Sequence, residues 1–468
     1  MNAFFFGSFL AAMATGIPIA IAMAIGSLAY IWLSGTIPPL TVVHRMVGGV
    51  DSFPLLAVPF FILAGNLMNS AGITNRIYDF ALALVGWMKG GLGHVNVVGS
   101  VVFAGMSGTA VADAGGLGTI EIKAMKDHGY PVEFAVGITA ASSTLGPIIP
   151  PSLPMVIYGV QANASIGKLF AAGFVPGIVM ALFMMFMVAW YARVRNYGAD
   201  IAFSWPRMGG AFVELIAVAI VAVALFRLWG NQELGGLFKF GLPLAAVLIV
   251  DRWMKFRAFM ALLTPVILIG GMASGLFTPT EAAVAAVAWA LFLGFVWYRT
   301  LNWRMLVKIS MDTIETTATV LFIVAAASIF AWVLTTTQVT EAIAQWVLSI
   351  SSEPWVFLVL ANLFLLFVGC FMETIAAITI LVPVFSPIIA KLGIDPIHFG
   401  LVMVLNLMIG LLTPPVGMVL FVLAKVSKLS FERTVAAIAP WMLPLFATLI
   451  LITFVPEVVL WLPRLLYP

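Results

Sequence analysis

Apolar runs long enough to cross a lipid bilayer recur from one end of this chain to the other, separated by short polar punctuation. A hydrocarbon core of about 30 Å asks for roughly 17–25 consecutive apolar residues at 1.5 Å of helix rise each. Such runs fall near 4–33 (broken at Gly16-Ile17-Pro18), 54–71, 77–91, 131–159, 169–192, 211–230, 235–250, 258–276, 281–298, 312–338, 396–424 and 434–462. The pattern predicts an all-α polytopic membrane protein. Residues 94–126 and 354–391 depart from it. Each holds two apolar stretches too short to span separately, meeting at Gly105-Met106-Ser107-Gly108-Thr109 and at Cys370-Phe371-Met372-Glu373-Thr374. Both read as re-entrant helical hairpins, whose polar tips are tolerated at membrane depth where they face protein or a watery cavity.

The two hairpins belong to an internal repeat. Asn96 precedes Met106-Ser107-Gly108-Thr109-Ala110 by the same interval as Asn362 precedes Met372-Glu373-Thr374-Ile375-Ala376. Downstream, the spacing of Ser142, Gly146 and Pro150-Pro151 returns as Asn406, Gly410 and Pro414-Pro415. Hairpins entering from opposite sides make the halves inverted, and inverted repeats with helices broken near the midplane characterise secondary transporters. The organisation expected is a first repeat over 1–200 with its hairpin near 94–126, a connector over 201–257 carrying an extra helix pair, and a second repeat over 258–468 with its hairpin near 354–391.

Composition narrows the function. Hydrophobic residues make up 63% of the 468 and charged residues 9%, where a soluble domain carries about a quarter charged residues. The N-terminal run lacks the basic flank and cleavage site of a signal peptide and reads as retained structure. The net charge of +3 fits the positive-inside bias of membrane proteins rather than nucleic-acid binding. With the first hairpin opening to the cytoplasm and the second to the outside, only Arg45, Lys168, Arg227, Lys239, Lys391 and Arg464 of the 22 Lys and Arg lie outside. The single cysteine, Cys370, excludes a disulfide within the chain or a CxxC site, and His44, His94, His128 and His398 lack ligand spacing. No GxxxxGK[ST] phosphate loop, TVGYG filter or arginine-rich voltage-sensing helix is present. The chain does not read as an enzyme.

Candidate chemistry sits at the breaks. Three prolines within Thr144-Leu145-Gly146-Pro147-Ile148-Ile149-Pro150-Pro151-Ser152 remove backbone donors and force the helix to unwind, and Leu412-Thr413-Pro414-Pro415-Val416-Gly417 repeats the device. The freed carbonyls suit a hard cation such as Na⁺ or, equally, a kinked packing helix. At the tips, Ser107, Thr109 and Thr374 supply hydroxyls, Gly108 permits close approach, and half-helix N-termini attract anions. Small-molecule recognition is therefore expected at Ser107, Gly108, Thr109 and Thr374, with Ser142 and Asn406 beside the breaks. Asp113 and Glu373 are ionisable groups in apolar surroundings, open to a cation-binding, proton-carrying or capping role. Gly115-Gly116-Leu117-Gly118 reads as close helix packing. Glu281 reads as the far member of a capping box with Thr278 or Thr280, and Trp32, Trp297, Trp332 and Trp355 as interfacial anchors.

Taken in order, Gly16-Ile17-Pro18-Ile19-Ala20, Pro59-Phe60-Phe61-Ile62-Leu63-Ala64-Gly65, Gly105-Met106-Ser107-Gly108, Ile149-Pro150-Pro151-Ser152 and Gly275-Leu276-Phe277-Thr278-Pro279-Thr280-Glu281-Ala282 resemble the large membrane subunit of tripartite ATP-independent periplasmic (TRAP) transporters. The resemblance runs over nearly the whole chain. It implies an elevator-type, Na⁺-driven importer of the bacterial inner membrane, fed with an organic acid by a periplasmic substrate-binding protein and packed against a small membrane subunit. It further implies two Na⁺ sites, one using Gly105 and Ser107 with Gly146 and Pro147, the other Gly369 and Glu373 or Thr374 with Thr413 and Pro414. The helix pair at 211–250 is longer than the usual connector. Two other readings stay open: a self-sufficient dicarboxylate carrier of a related inverted-repeat fold, and a membrane assembly subunit without a substrate path.

Overall fold

The computed structural model describes residues 2–35, 37–230, 239, 241–254, 256, 258–350 and 352–467. Lys255, Arg257, the start of the run predicted at 235–250, and the side chain of Ser107 lie outside the described set. Every named element among the described residues is helical.

The first run is two helices, α1 (Asn2–Ala14) and α2 (Ile19–Ser34). Gly16 takes φ +81° and Pro18 follows it, a combination that ends one helix and sets the entry of the next. The chain then folds back on itself. Phe5 meets the Tyr30 ring at 6.1 Å, and Gly26 leaves only 3.2 Å between an added Cβ and that of Phe9. The run predicted as one broken span is therefore an antiparallel pair, because hydropathy records apolar length and not direction.

After α3 (Leu40–Val50), the 3-10 turn Phe53–Leu56 leads into α4 (Ala57–Ser70), together 18 residues and long enough to cross. The crossing predicted at 77–91 is instead α5 (Ile73–Val85), 13 residues that bury Ile73, Ile77, Phe80 and Ala81 and turn Asp79 outward. It is an amphipathic helix too short to span.

The first hairpin is α6 (Gly91–Ser107), α7 (Ala110–Gly115) and α8 (Leu117–Asp127). The broken helix follows as α9 (Val132–Ser143) and α10 (Leu153–Gln161), and α11 (Ile166–Val194) returns across. The connector carries α12 (Trp205–Gly230) and α13 (Leu242–Met254), of which α12 leaves Ile216, Ile220 and Val223 exposed, as a lipid-facing helix does. Next come α14 (Phe259–Ala273) and α15 (Pro279–Leu291), the latter running on as a π-helical turn to Trp297, then α16 (Trp303–Thr336) and α17 (Val339–Ile350). The motif around Pro279 is a capping box: Glu281 N–H donates to Thr278 Oγ1 at 3.3 Å and Thr278 N–H to Glu281 Oε2 at 2.7 Å.

The second hairpin is α18 (Pro354–Gly369) and α19 (Thr374–Lys391), folding back so that Phe357 and Phe364 both meet Phe385 across the arms. At 18 residues α19 is long enough to cross by itself, which the prolines Pro383 and Pro387 within it disguised in the sequence. The second broken helix is α20 (Pro396–Gly410) and α21 (Met418–Ser427), followed by α22 (Phe431–Ile438), α23 (Met442–Phe454) and α24 (Glu457–Leu466). Seven helical stretches among the described residues are long and apolar enough to span. Helices α2, α3 and α4 pack along α16, and α14 and α15 extend this layer. The hairpins and broken helices pack on one another and on α11 and α23, and α19 and α6 also reach the layer on α16 and α14.

Candidate functional site

Each hairpin tip is seated on the Pro-Pro break of its own half by backbone. In the first half, Leu153 N–H donates to Gly108 O at 3.3 Å. Gly108 holds φ +65°, and a Cβ there would come within 2.7 Å of Pro151 O, so only glycine fits the approach. In the second half, Val416 N–H donates to Cys370 O at 3.2 Å, and a Cβ on Gly410 would lie 2.6 Å from the Gly369 Cα. Both Pro150-Pro151 and Pro414-Pro415 are cis.

The halves then cross. Helix α7, just past the first tip, packs on α21, just past the second break, where Gly115 faces Val422; α10 packs on α19 in the reciprocal arrangement. The half-helices that leave the two tips and the two breaks thus pair across the halves. The first break also rests on α11, whose Gly173 and Gly177 leave room for Ile148 and Ile149.

Four half-helices begin at these tips and breaks, and three are capped by their own side chains. Thr109 Oγ1 accepts from Ala112 N–H at 3.3 Å, Ser152 Oγ from Met155 N–H at 3.3 Å, and Glu373 Oε2 from Ile375 and Ala376 N–H at 2.9 and 3.1 Å. The α19 N-terminus, expected to attract an anionic substrate, already holds the Glu373 carboxylate. The exception is α21, which starts at Gly417 (φ +52°) without a side-chain cap, leaving its first N–H groups to other partners.

The remaining expected residues are placed as follows. Gly105 packs on Pro265 of α14, where an added Cβ would sit at 3.0 Å. Gly146 N–H donates to Ser143 O, and Pro147 O accepts from Ser152 Oγ at 2.5 Å. Thr413 Oγ1 donates to Ile409 O at 2.9 Å, beside the cis bond that begins at Pro414. Thr374 is buried and its Oγ1 has no hydrogen-bond partner among the described residues. Ser142 and Asn406 face the hairpin arms rather than the tips. Ser142 Oγ donates to Asn96 Oδ1 at 2.7 Å, and Asn406 Nδ2 donates to Asn362 Oδ1 at 2.7 Å.

A buried polar cluster extends from Asn96, whose Nδ2 donates to Glu121 Oε2 at 2.5 Å and to Thr139 Oγ1 at 2.8 Å. Ser100, one turn along α6, donates to Asp113 Oδ1 at 3.4 Å. Glu121 and Thr139 do not stand out in the sequence, since Glu121 lies two residues before Lys123 and resembles the solvated end of an arm. The signal available was the glycines opposite: Gly99 faces Glu121 Oε1, and Gly118 faces Thr139 Cγ2 at 2.5 Å from an added Cβ. Gly116 and Gly118 are close-packing positions, as their spacing suggested.

Comparison with known proteins agrees with this architecture. Residues 6–458 match the family described as "Tripartite ATP-independent periplasmic transporter, DctM component". The sialic acid TRAP transporter large permease protein SiaM of Vibrio cholerae is 42% identical over 96% of this chain and 95% of its own length. The sialic acid TRAP transporter permease protein SiaT of Haemophilus influenzae is 39% identical over 97% of this chain but 67% of its own length. Among solved structures, the Alcanivorax borkumensis YdaH transporter, described as having an unusual topology, superposes with a TM-score of 0.58 at 16% identity over 88% of this chain and 86% of that one, a likeness of fold alone. The chain belongs to the DctM-component family of TRAP transporters and is a multi-pass membrane permease subunit, not an enzyme.

Proposed function

We propose that this chain imports an organic acid anion across the bacterial inner membrane, coupled to Na⁺, as the large permease subunit working with a small membrane subunit and a periplasmic substrate-binding protein. The observation that carries the reading is the reciprocal packing of α7 on α21 and α10 on α19, which pairs the half-helices leaving both tips and both breaks. In this reading, 1–200 and 258–468 are inverted repeats joined by the 201–257 connector, and the hairpins and broken helices travel as one elevator body against the layer built on α16. The donors available are oxygens, which suits a hard cation. Thr374 Oγ1 is a buried oxygen without a hydrogen-bond partner among the described residues, and with the carbonyls of Gly369, Thr413 and Pro414 it would hold one Na⁺. Carbonyls near Gly105, Gly146 and Pro147, together with Ser107, would hold the other. The substrate carboxylate would take the uncapped N–H groups at the start of α21, since the starts of α7, α10 and α19 are occupied by Thr109, Ser152 and Glu373.

A sugar acid is the first substrate class to test, because the SiaM and SiaT relatives carry sialic acid by name. SiaT also extends well beyond the part this chain matches, which supports a need for partner sequence. The test is uptake of radiolabelled sialic acid into proteoliposomes holding this chain with and without the small subunit and binding protein. Uptake is expected to require all three components and an inward Na⁺ gradient. Uptake by this chain alone would favour the self-sufficient carrier, and uptake indifferent to Na⁺ would sink the coupling.

A further inference from the structure

Two crevices of about 440 Å³ each open beside α5, between the connector and the end of α15, and they share Arg76 and Phe256. One is walled by Asp251, Arg252, Trp297 and Tyr298, the other by Asp79, Ile201 and Arg207. The Arg76 guanidinium lies over the Tyr298 ring, 4.0 Å from its centroid. Trp297 Nε1–H donates to Asp251 Oδ2 at 3.1 Å, fixing that carboxylate. The ion pairs among the described residues are Lys391 with Glu341, Arg433 with Glu133 and Arg464 with Glu457. None of Arg76, Arg207 and Arg252 takes part, so among the described residues each crevice holds two guanidiniums, and neither carboxylate of its walls, Asp251 or Asp79, lies within ion-pair distance of them.

Their setting says what they suit. Trp205, two residues before Arg207, and Trp253, next to Arg252, are 71% and 81% exposed, and exposed tryptophans favour the headgroup level of a bilayer. Toward the membrane interior, α12 and α13 expose Ile216, Ile220 and Ile249. A basic pocket between helices at interfacial depth, with apolar helix faces leading away from it, matches a headgroup and its acyl chains. The planar fork of Arg pairs with phosphate oxygens better than a point charge does. We infer that the two crevices form a binding site for an anionic phospholipid, with Arg76 serving both pockets and Arg252 and Arg207 each serving one. Bound there, the lipid bridges the connector to α5, which leads directly into the first hairpin.

The test uses the purified full-length chain, delipidated in detergent and titrated with phosphatidylglycerol, cardiolipin, phosphatidylethanolamine or inorganic phosphate, read by native mass spectrometry and thermal unfolding. Wild type is expected to retain phosphatidylglycerol and cardiolipin and to melt at higher temperature with them, and not with the zwitterionic lipid. Arg76→Gln with Arg252→Gln is expected to weaken retention roughly tenfold or more, with Arg76→Lys intermediate and Arg464→Gln unchanged. If the double variant does not purify, Arg252→Gln and Arg207→Gln singly are each expected to weaken retention less. Undiminished retention in the Arg76 and Arg252 variants overturns the site. Equal binding of phosphatidylethanolamine overturns the charge argument, and equal protection by inorganic phosphate shows a free-anion site in place of a lipid one.

Discussion

The Ser142 hydroxyl donates to the Asn96 side-chain oxygen at 2.7 Å, and Asn406 makes the corresponding bond to Asn362 at 2.7 Å in the other half. In each half a polar pair, buried in the first and partly buried in the second, ties a hairpin arm to the broken helix beside it. Where water is excluded, as around Asn96 and Ser142, such a pair has no good alternative to staying formed. Each hairpin is thereby linked to its break twice, once at the tip by backbone and once at the arm by side chain.

Removing the centre of the first tie leaves several groups stranded. Asn96→Ala deprives the Glu121 carboxylate and Thr139 of a donor and Ser142 of an acceptor. A loss of about 2–4 kcal/mol is expected. Ser142→Ala, which strands only the Asn96 oxygen, is expected to cost about 1–2 kcal/mol. Thermal unfolding of the detergent-solubilised chain checks the order, and equal losses would contradict the cluster.

Close backbone approach at the second break gives a steric prediction. Gly410→Ala places a Cβ 2.6 Å from Gly369 backbone, which cannot swing aside as a long side chain does. A loss of about 2 kcal/mol or more and of most uptake is expected. Gly210→Ala, with nothing within 4 Å of the new Cβ, is expected to be neutral or to stabilise α12 by up to about 1 kcal/mol. Parallel uptake and unfolding measurements on the two variants decide the matter.

Glu373 caps α19, and that fixes what its substitution does. Glu373→Ala leaves Ile375 and Ala376 N–H without their acceptor, a loss of about 1 kcal/mol. Asp at this position keeps an acceptor within reach and is expected to recover much of it. Uptake by Glu373→Ala is expected to fall by a similar factor at every pH from 6 to 8 (on the scale of histidine titration). A displaced pH optimum would mean that the carboxyl also carries protons.

How much of this was legible in the sequence follows from what each signal measures. The Thr278 to Glu281 capping box is local, three residues apart, and its residue types dictate its geometry. The Asn96 and Asn362 spacings pointed to matched elements, because the same ties constrain both halves. The fold-back of α1 on α2 was not legible, since an apolar run looks the same whether it continues or reverses. The length of helix α5 is not legible for a related reason: Leu82 and Leu84, only partly buried, extend its apolar appearance past the face that is buried. Glu373 remained open between capping and transport because a cap depends on where the following N–H groups point.

Gly99 and Glu121 offer the sharpest test of the buried cluster, because they are on different helices and each explains the other. Glu121 is 1% exposed, and its Oε1 has no hydrogen-bond partner among the described residues. It fits only because position 99 lacks a side chain: a Cβ there would stand 2.8 Å from Oε1. Gly99→Ala is therefore expected to destabilise by about 1–3 kcal/mol through overpacking. Glu121→Ala is expected to cost a similar amount by taking the acceptor from Asn96, while Glu121→Gln, which keeps a side-chain oxygen for that bond, is expected to cost less. In the double variant the carboxylate that the new methyl group would strike is gone, and the methyl partly fills the space it vacates. The combined loss should fall short of the sum by about 1 kcal/mol, a coupling that independent sites do not show. Strictly additive losses in thermal unfolding would mean that Gly99 is needed for another contact, the nearby Leu117 being the next candidate at 3.4 Å.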